Sequence, residues 1–356
     1  MMNAARTAFI LFAIGALVAG CATGPTTPVT ATQPVQPGSD TLKIPVNDLA
    51  TRTYRGFQGG LYPGGSNSVP ADHDAAGIAH GNAIRPLDTN GNASASGKYV
   101  LISIGMSNTT QEWCSTGSGP PCDSWTFTGR AVADAGVNHS TLVIVNGAAG
   151  GQDASTWASP NAPNYDRIRD TRLTPLGLSE RQVQAAWVKL ADAQPKASLP
   201  SGSADAYVLL QYLGNVIRAL KTRYPNIQQV FLSSRIYGGY ATTTLNPEPY
   251  AYESGFSVKW AIESQIGQIR GAAAEAHARD LRYTNGAAPW IVWGPYPWAD
   301  GLNPRSDGLT WARPDLEADG THPSQTGESK VGAMLLDFFK SSPYTRCWFL
   351  VGQTCS

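Results

Sequence analysis

Four short apolar runs punctuate the chain, and each stops at a turn. Residues 99–104 (YVLISI) end at Gly105, and residues 142–145 (LVIV) end at Asn146-Gly147. Residues 230–233 (VFLS) lead into SRIYGGY, and residues 290–293 (WIVW) lead into Gly294-Pro295. None alternates apolar with polar, which is the pattern of strands buried on both faces of a parallel sheet. Helical periodicity lies between the runs. Residues 205–223 put Leu209, Leu213, Val216, Ile217 and Leu220 on one stripe, and Pro225 ends that helix. Further helices are expected over 257–282 and 328–339. Strands alternating with helices predict an α/β fold, a parallel central sheet with helices on both faces. Ligands of such sheets bind beyond the carboxyl ends of the strands, where the Gly-rich breaks fall.

The first residues do not belong to that pattern. Arg6 precedes an apolar run over 8–19 that is short for a membrane-spanning helix and ends in small residues, so residues 1–20 read as a signal peptide. The ending Val18-Ala19-Gly20-Cys21 resembles the bacterial lipoprotein box, which implies lipidation of Cys21 and a place in the cell envelope, at the outer membrane if the source is diderm. Residues 21–40 are Pro, Thr and Gln with little apolar mass and read as a disordered tether. Residues 41–97 are rich in Gly and Pro and suit an irregular extension packed on a main domain over 98–356.

Lys plus Arg (26) equals Asp plus Glu (26), and only 15% of residues are charged, so nothing points to nucleic acid or an acidic partner. Ten Trp and 14 Tyr fit either core packing or sugar-stacking surfaces. Apart from Cys21 the cysteines are Cys114, Cys122, Cys347 and Cys355, an even number in an exported chain, as expected for disulfides. Three pairings are possible, and the two short loops 114–122 and 347–355 are the simplest. No Cys-x-x-Cys and no histidine cluster supports a metal site; His73, His80, His139 and His277 have no ligand-like spacing.

The chemistry gathers at two places. Ser107 sits just past the first strand in Gly105-Met106-Ser107-Asn108, and His322 sits late in DGTHPSQTG, three residues after Asp319. Serine is a weak nucleophile until a base takes its proton. His322 is placed to be that base, and Asp319 to hold the imidazole in the required tautomer. Each motif alone has an ordinary structural reading, a turn serine and a helix N-cap near Ser324. Their order along the fold pairs them. Arg235 and Tyr237 follow the third run and are candidates to line the cleft. The Trp- and Pro-rich stretch 293–308 is a candidate substrate wall or plain scaffold.

With these blocks in hand, residues 98–340 resemble the SGNH (GDSL-like) hydrolase superfamily, nearest to its sialate O-acetylesterase and carbohydrate esterase family 6 branch. SIGMSN stands near that branch's Gly-Gln-Ser-Asn, NGAAGGQDASTW near its Asn-x-Ala-x-Gly-Gly, and DGTHPSQTGESKVG is the strongest match. The resemblance implies a three-layer α/β/α flavodoxin-like fold, with Ser107 as nucleophile, His322 as base and Asp319 as its partner. It implies an oxyanion hole from the Ser107 N–H, the N–H of Gly150 or Gly151, and a third donor. AAWVKLADAQP departs from the branch's Trp-x-Gln-Gly-Glu, and Lys189 takes the place of the glutamine. Asn146 is a candidate site-lining residue. The function implied is hydrolysis of a carboxylic ester, with O-acetyl groups on a carbohydrate as the substrate, and without metal or organic cofactor. A lipase- or thioesterase-like member of the superfamily and a non-catalytic, carbohydrate-binding envelope lipoprotein are the alternatives.

Overall fold

The computed structural model describes residues 43–115 and 120–355; the expected signal peptide, Cys21 and the tether lie outside them. In chain order the elements are α1 (Val46–Leu49), β1 (Thr53–Tyr54), β2 (Phe57–Gln58), α2 (Ala71–Asn82), β3 (Tyr99–Gly105), α3 (Ser107–Cys114), α4 (Phe127–Ala133) and β4 (Leu142–Asn146). There follow α5 (Pro163–Ile168), β5 (Val183–Lys189), α6 (Asp205–Arg223), β6 (Gln229–Ser233), α7 (Tyr250–Ile269), β7 (Trp290–Trp293), α8 (Gln325–Ser341) and α9 (Arg346–Phe349). β1 and β2 pair as a small hairpin.

The other five strands form one parallel sheet in the order β4-β3-β5-β6-β7. This is the flavodoxin-like doubly wound order, whose topological switch point lies between its first and third strands, here β3 and β5. Side-chain parity sets the layers. Trp187 of β5 stacks on Trp113 of α3, and Phe231 of β6 meets Phe338 and Phe339 of α8 edge-on. Gln229 donates to the carbonyls of Gly77 in α2 and Tyr344. The odd-numbered side chains of β5 and β6 therefore face a layer containing α2, α3 and α8. The second layer is α6 packed on α7, and α7 lies against β6 and β7.

β7 is an edge strand, and edge strands leave unpaired backbone groups. The Ile291 N–H donates to Gln265 Oε1 at 2.8 Å, and the Ile291 carbonyl lies 2.8 Å from His73 Nε2. His73 thus caps the sheet edge, and its burial lowers the imidazole pKa.

Three expectations change. The stretch 41–97 is not wholly irregular, because α2 sits within it and covers β7. Gly77 is required there, since a Cβ would come 2.2 Å from the Trp290 ring. The helix expected over 257–282 is α7, shifted towards the N-terminus. It ends because Gln268 captures the returning chain, accepting from Leu281 N–H and donating to the Arg279 carbonyl, both at 2.8 Å. The central strand β5 lacked a strand-like run, since it carries Gln184 and Lys189. Both are buried and both find partners from distant parts of the chain: Gln184 brackets the backbone of Arg85, and Lys189 pairs with Glu112.

Most of the tryptophan is core. Trp113, Trp157, Trp187, Trp290, Trp298 and Trp311 are fully buried. The cysteines pair as Cys114–Cys122 and Cys347–Cys355.

Candidate active site

β3 ends at Gly105 beside the switch point. A Cβ there would lie 2.3 Å from Thr109 Oγ1 and 2.4 Å from the Lys189 carbonyl, so only glycine lets the chain pass. Met106 is extended and caps α3, and Ser107 is the first helical residue. Its N–H belongs to the first turn, which has no intrahelical acceptors and carries the positive end of the helix dipole.

The loop before α8 brings His322 to this serine. Ser107 Oγ lies 2.8 Å from His322 Nε2, and His322 Nδ1 lies 2.5 Å from Asp319 Oδ2. A carboxylate can only accept, so Nδ1 carries the proton and Nε2 is left to accept from the serine hydroxyl. Asp319 Oδ1 also accepts from the backbone N–H groups of Thr321 at 2.9 Å and His322 at 3.0 Å. Burial alone would raise the Asp319 carboxyl. Hydrogen bonds from the His322 backbone, the His322 ring and the Thr321 backbone outweigh it and hold the carboxyl below its ordinary range.

The loop is tied down on several sides. Asn108 Nδ2 donates to the Thr321 carbonyl at 2.9 Å. Thr242 N–H donates to the Asp319 carbonyl at 2.9 Å, and the Thr243 and Thr321 hydroxyls meet at 2.7 Å. Gly320 has φ +65°, and a Cβ there would fall 1.8 Å from the Tyr240 carbonyl oxygen.

Ser107 and His322 open onto a cavity of about 270 Å³. Gly151 lines it with φ +72°. Gly150 is adjacent, for a Cβ there would lie 4.0 Å from Ser107 Cβ. Arg235 also lines the cavity and is fully buried. Its guanidinium reaches the Thr321 carbonyl at 3.4 Å, and burial draws its pKa down to about 10 against the pull of Glu112, Glu248 and Asp319.

Three expected site residues lie elsewhere. Lys189 shares the face of β5 that Trp187 presents to α3, so its ammonium is buried on Glu112 and is not part of the cavity wall. Burial lowers the lysine pKa to about 8 and raises that of the glutamate, against their mutual attraction. Asn146 is buried between Ser103 and Thr110, accepting from one hydroxyl at 2.9 Å and donating to the other at 2.5 Å. Tyr237 packs against Tyr240 and Trp298. The stretch 293–308 is scaffold as well: Trp298 donates to Glu248, and Arg305 donates to the Trp298 carbonyl.

The cavity also holds groups not singled out in the sequence, Asp192 and Asn246 among them. Asp192 follows β5 by three residues, so recognising that strand would have placed it at a strand's carboxyl end.

No family model matches the chain, and no curated protein matches it. Solved structures give distant likenesses. An extracellular lipase from Streptomyces rimosus is 13% identical over 67% of this chain and 97% of its own, with a TM-score of 0.31. The psychrotrophic esterase EstA from Pseudoalteromonas is 11% identical over 68% and 97%, with a TM-score of 0.34. A family two carbohydrate esterase from Cellvibrio japonicus is 12% identical over 70% and 62%, with a TM-score of 0.35. Likenesses this distant leave the chemistry to rest on the geometry of the site.

Proposed function

We propose that the chain is a serine esterase that hydrolyses carboxylic esters, with O-acetyl groups on a carbohydrate as its substrate class. The observation that carries this reading is the Ser107–His322–Asp319 relay, with contacts of 2.8 and 2.5 Å at the mouth of one cavity. Ser107 Oγ adds to the ester carbonyl carbon while its proton moves to His322 Nε2. Asp319 holds the ring in the tautomer that accepts this proton and stabilises the imidazolium. The oxyanion is received by the Ser107 N–H at the start of α3 and by the N–H of Gly151 or Gly150. His322 then protonates the leaving alcohol, and water, activated by the same histidine, releases the acid from Ser107. The acetyl-carbohydrate assignment rests on the motif blocks SIGMSN, NGAAGGQDASTW and DGTHPSQTGESKVG. The same reading has the chain exported and held in the envelope through a lipid on Cys21.

A second reading keeps the relay and takes a longer acyl chain. It is favoured by Leu245, which is 41% exposed and lines the cavity together with Met106 and two alanines. Acetate release from acetylated xylan, set beside a series of 4-nitrophenyl esters of increasing chain length, separates the two. Preference for the acetyl polymer supports the carbohydrate reading, and a rate that climbs with chain length replaces it with the lipase-like one. Failure of Ser107 to react with a fluorophosphonate would leave a non-catalytic binding protein.

A further inference from the structure

Asp192 lines the same cavity as Ser107 and His322, is only 8% exposed, and has a buried Oδ1 without a hydrogen-bond partner. Its surroundings disfavour a charge. Asp153 is on the same cavity wall. Asp205, at the start of α6, lies across a narrow space that Glu253 and Tyr250 of α7 also line. Arg235 and His322 are the basic groups of the cavity: His322 is engaged on Asp319, and Arg235 reaches the Thr321 carbonyl through Nη2 while its Nε is buried without a partner. Burial first, then the charges of Asp205 and Asp153, push the Asp192 carboxyl up to about 8. A neutral carboxyl has one O–H to donate, and this one lines the cavity onto which Ser107 and His322 open.

We propose that Asp192 works as a neutral carboxylic acid, donating its O–H to the acyl oxygen of the bound ester as charge gathers there. The inference rests on the reading of Ser107 as nucleophile. When Ser107 adds, the carbonyl π pair moves onto the acyl oxygen, the serine proton goes to His322, and the Asp192 proton stays on Asp192, shared in a hydrogen bond. Collapse returns the pair to the carbonyl and expels the alcohol with the proton from His322. A buried acid kept neutral is a known way to supply such a donor. Lys189, the donor expected from the sequence, is spent on Glu112 and leaves that role to another group. A competing use of the proton is nearby: Asn246 Oδ1 is also buried and unpartnered, and Asn246 Nδ2 lies 3.5 Å from the Asp192 carbonyl.

The test compares full-length wild type with Asp192→Asn and Asp192→Ala. Two rates are followed across pH: fluorophosphonate labelling of Ser107, and kcat/KM for 4-nitrophenyl acetate. In wild type both should fall as pH rises through about 8, as the acid ionises. Asp192→Ala should be slower by about 10²-fold or more at neutral pH, the usual cost of a lost oxyanion donor. Asp192→Asn, whose amide still donates, should be slowed less than the alanine variant and should lack the alkaline fall. Labelling of the alanine variant at the wild-type rate would overturn the proposal. So would an alkaline fall that persists in Asp192→Asn, or variants that lose thermal stability and keep the wild-type rates, which is the Asn246 pairing. A wild type that does not label at all overturns the Ser107 reading first and is thereby told apart.

Discussion

Asn108 binds the serine helix to the histidine loop: its Nδ2 donates to the Thr321 carbonyl at 2.9 Å, linking the residue after Ser107 to the residue before His322. Asn108 is buried, and although it borders the cavity its amide is committed to this backbone tie. Asn108→Ala should lower kcat by about 10²-fold, because misplacement by about 1 Å has that cost, while KM changes little. Steady-state kinetics on a small ester check the split; an unchanged kcat would show that the other ties to the loop suffice.

Ser107→Ala and His322→Ala should each remove nearly all turnover and leave the thermal unfolding profile close to wild type. Asp319→Asn should cost about 10⁴-fold in kcat, since an amide can favour the wrong imidazole tautomer. Single-turnover kinetics on the three variants test the ranking.

Gly320→Ala puts a methyl group into the Tyr240 carbonyl at a positive φ. The loop must shift, and both Asp319 and His322 are on it. Activity and Tm should fall together, in contrast to Asn108→Ala.

The buried Lys189–Glu112 pair predicts a non-additive pattern. Lys189→Met leaves the buried Glu112 carboxylate without its ion-pair partner and should cost about 3–5 kcal/mol, whereas Lys189→Met combined with Glu112→Leu should recover much of that loss. Denaturant unfolding of the two singles and the double closes the cycle.

Stability should decline as pH rises from mildly acidic to mildly basic. Asp192 is held up to about 8 in the folded chain against its ordinary value of 3.8. Between those values the unfolded chain has released the proton and the folded chain retains it. The proton difference is therefore minus one, and stability falls with a slope of up to about 1.4 kcal/mol per pH unit, levelling above about 8. Glu253 and Glu328, each raised to about 7 chiefly by burial, act in the same direction. Asp192→Asn should flatten the slope without abolishing it, as Tm measured from about pH 5 to about pH 9 will show.

What was legible in the sequence followed from locality. β3, β4, β6 and β7 are nearly uninterrupted apolar runs, and burial on both faces leaves that trace directly. Asp319 and His322 are close in sequence, and Ser107 sits at a strand end that Gly105 marks. β5 left no such trace, because Gln184 and Lys189 are made burial-tolerant by Arg85 and Glu112, about a hundred and about eighty positions away. Asn146 and Tyr237 were placed by their distance from strand ends, but the direction of a side chain depends on register. Asp192 became visible only once β5 was in place, since nothing in LADAQP says that its carboxyl is buried with an unpartnered oxygen.

The stacked indoles of Trp113 and Trp187, 5.5 Å apart and 11° from parallel, join α3 to β5 within the helix that begins at Ser107. Two chromophores held this closely, both shielded from solvent, couple optically. The near-ultraviolet circular dichroism of the protein should therefore carry a signature of this seam, lost in a Trp113→Phe or Trp187→Phe variant. Loosening of the nucleophile's helix becomes separable from global melting.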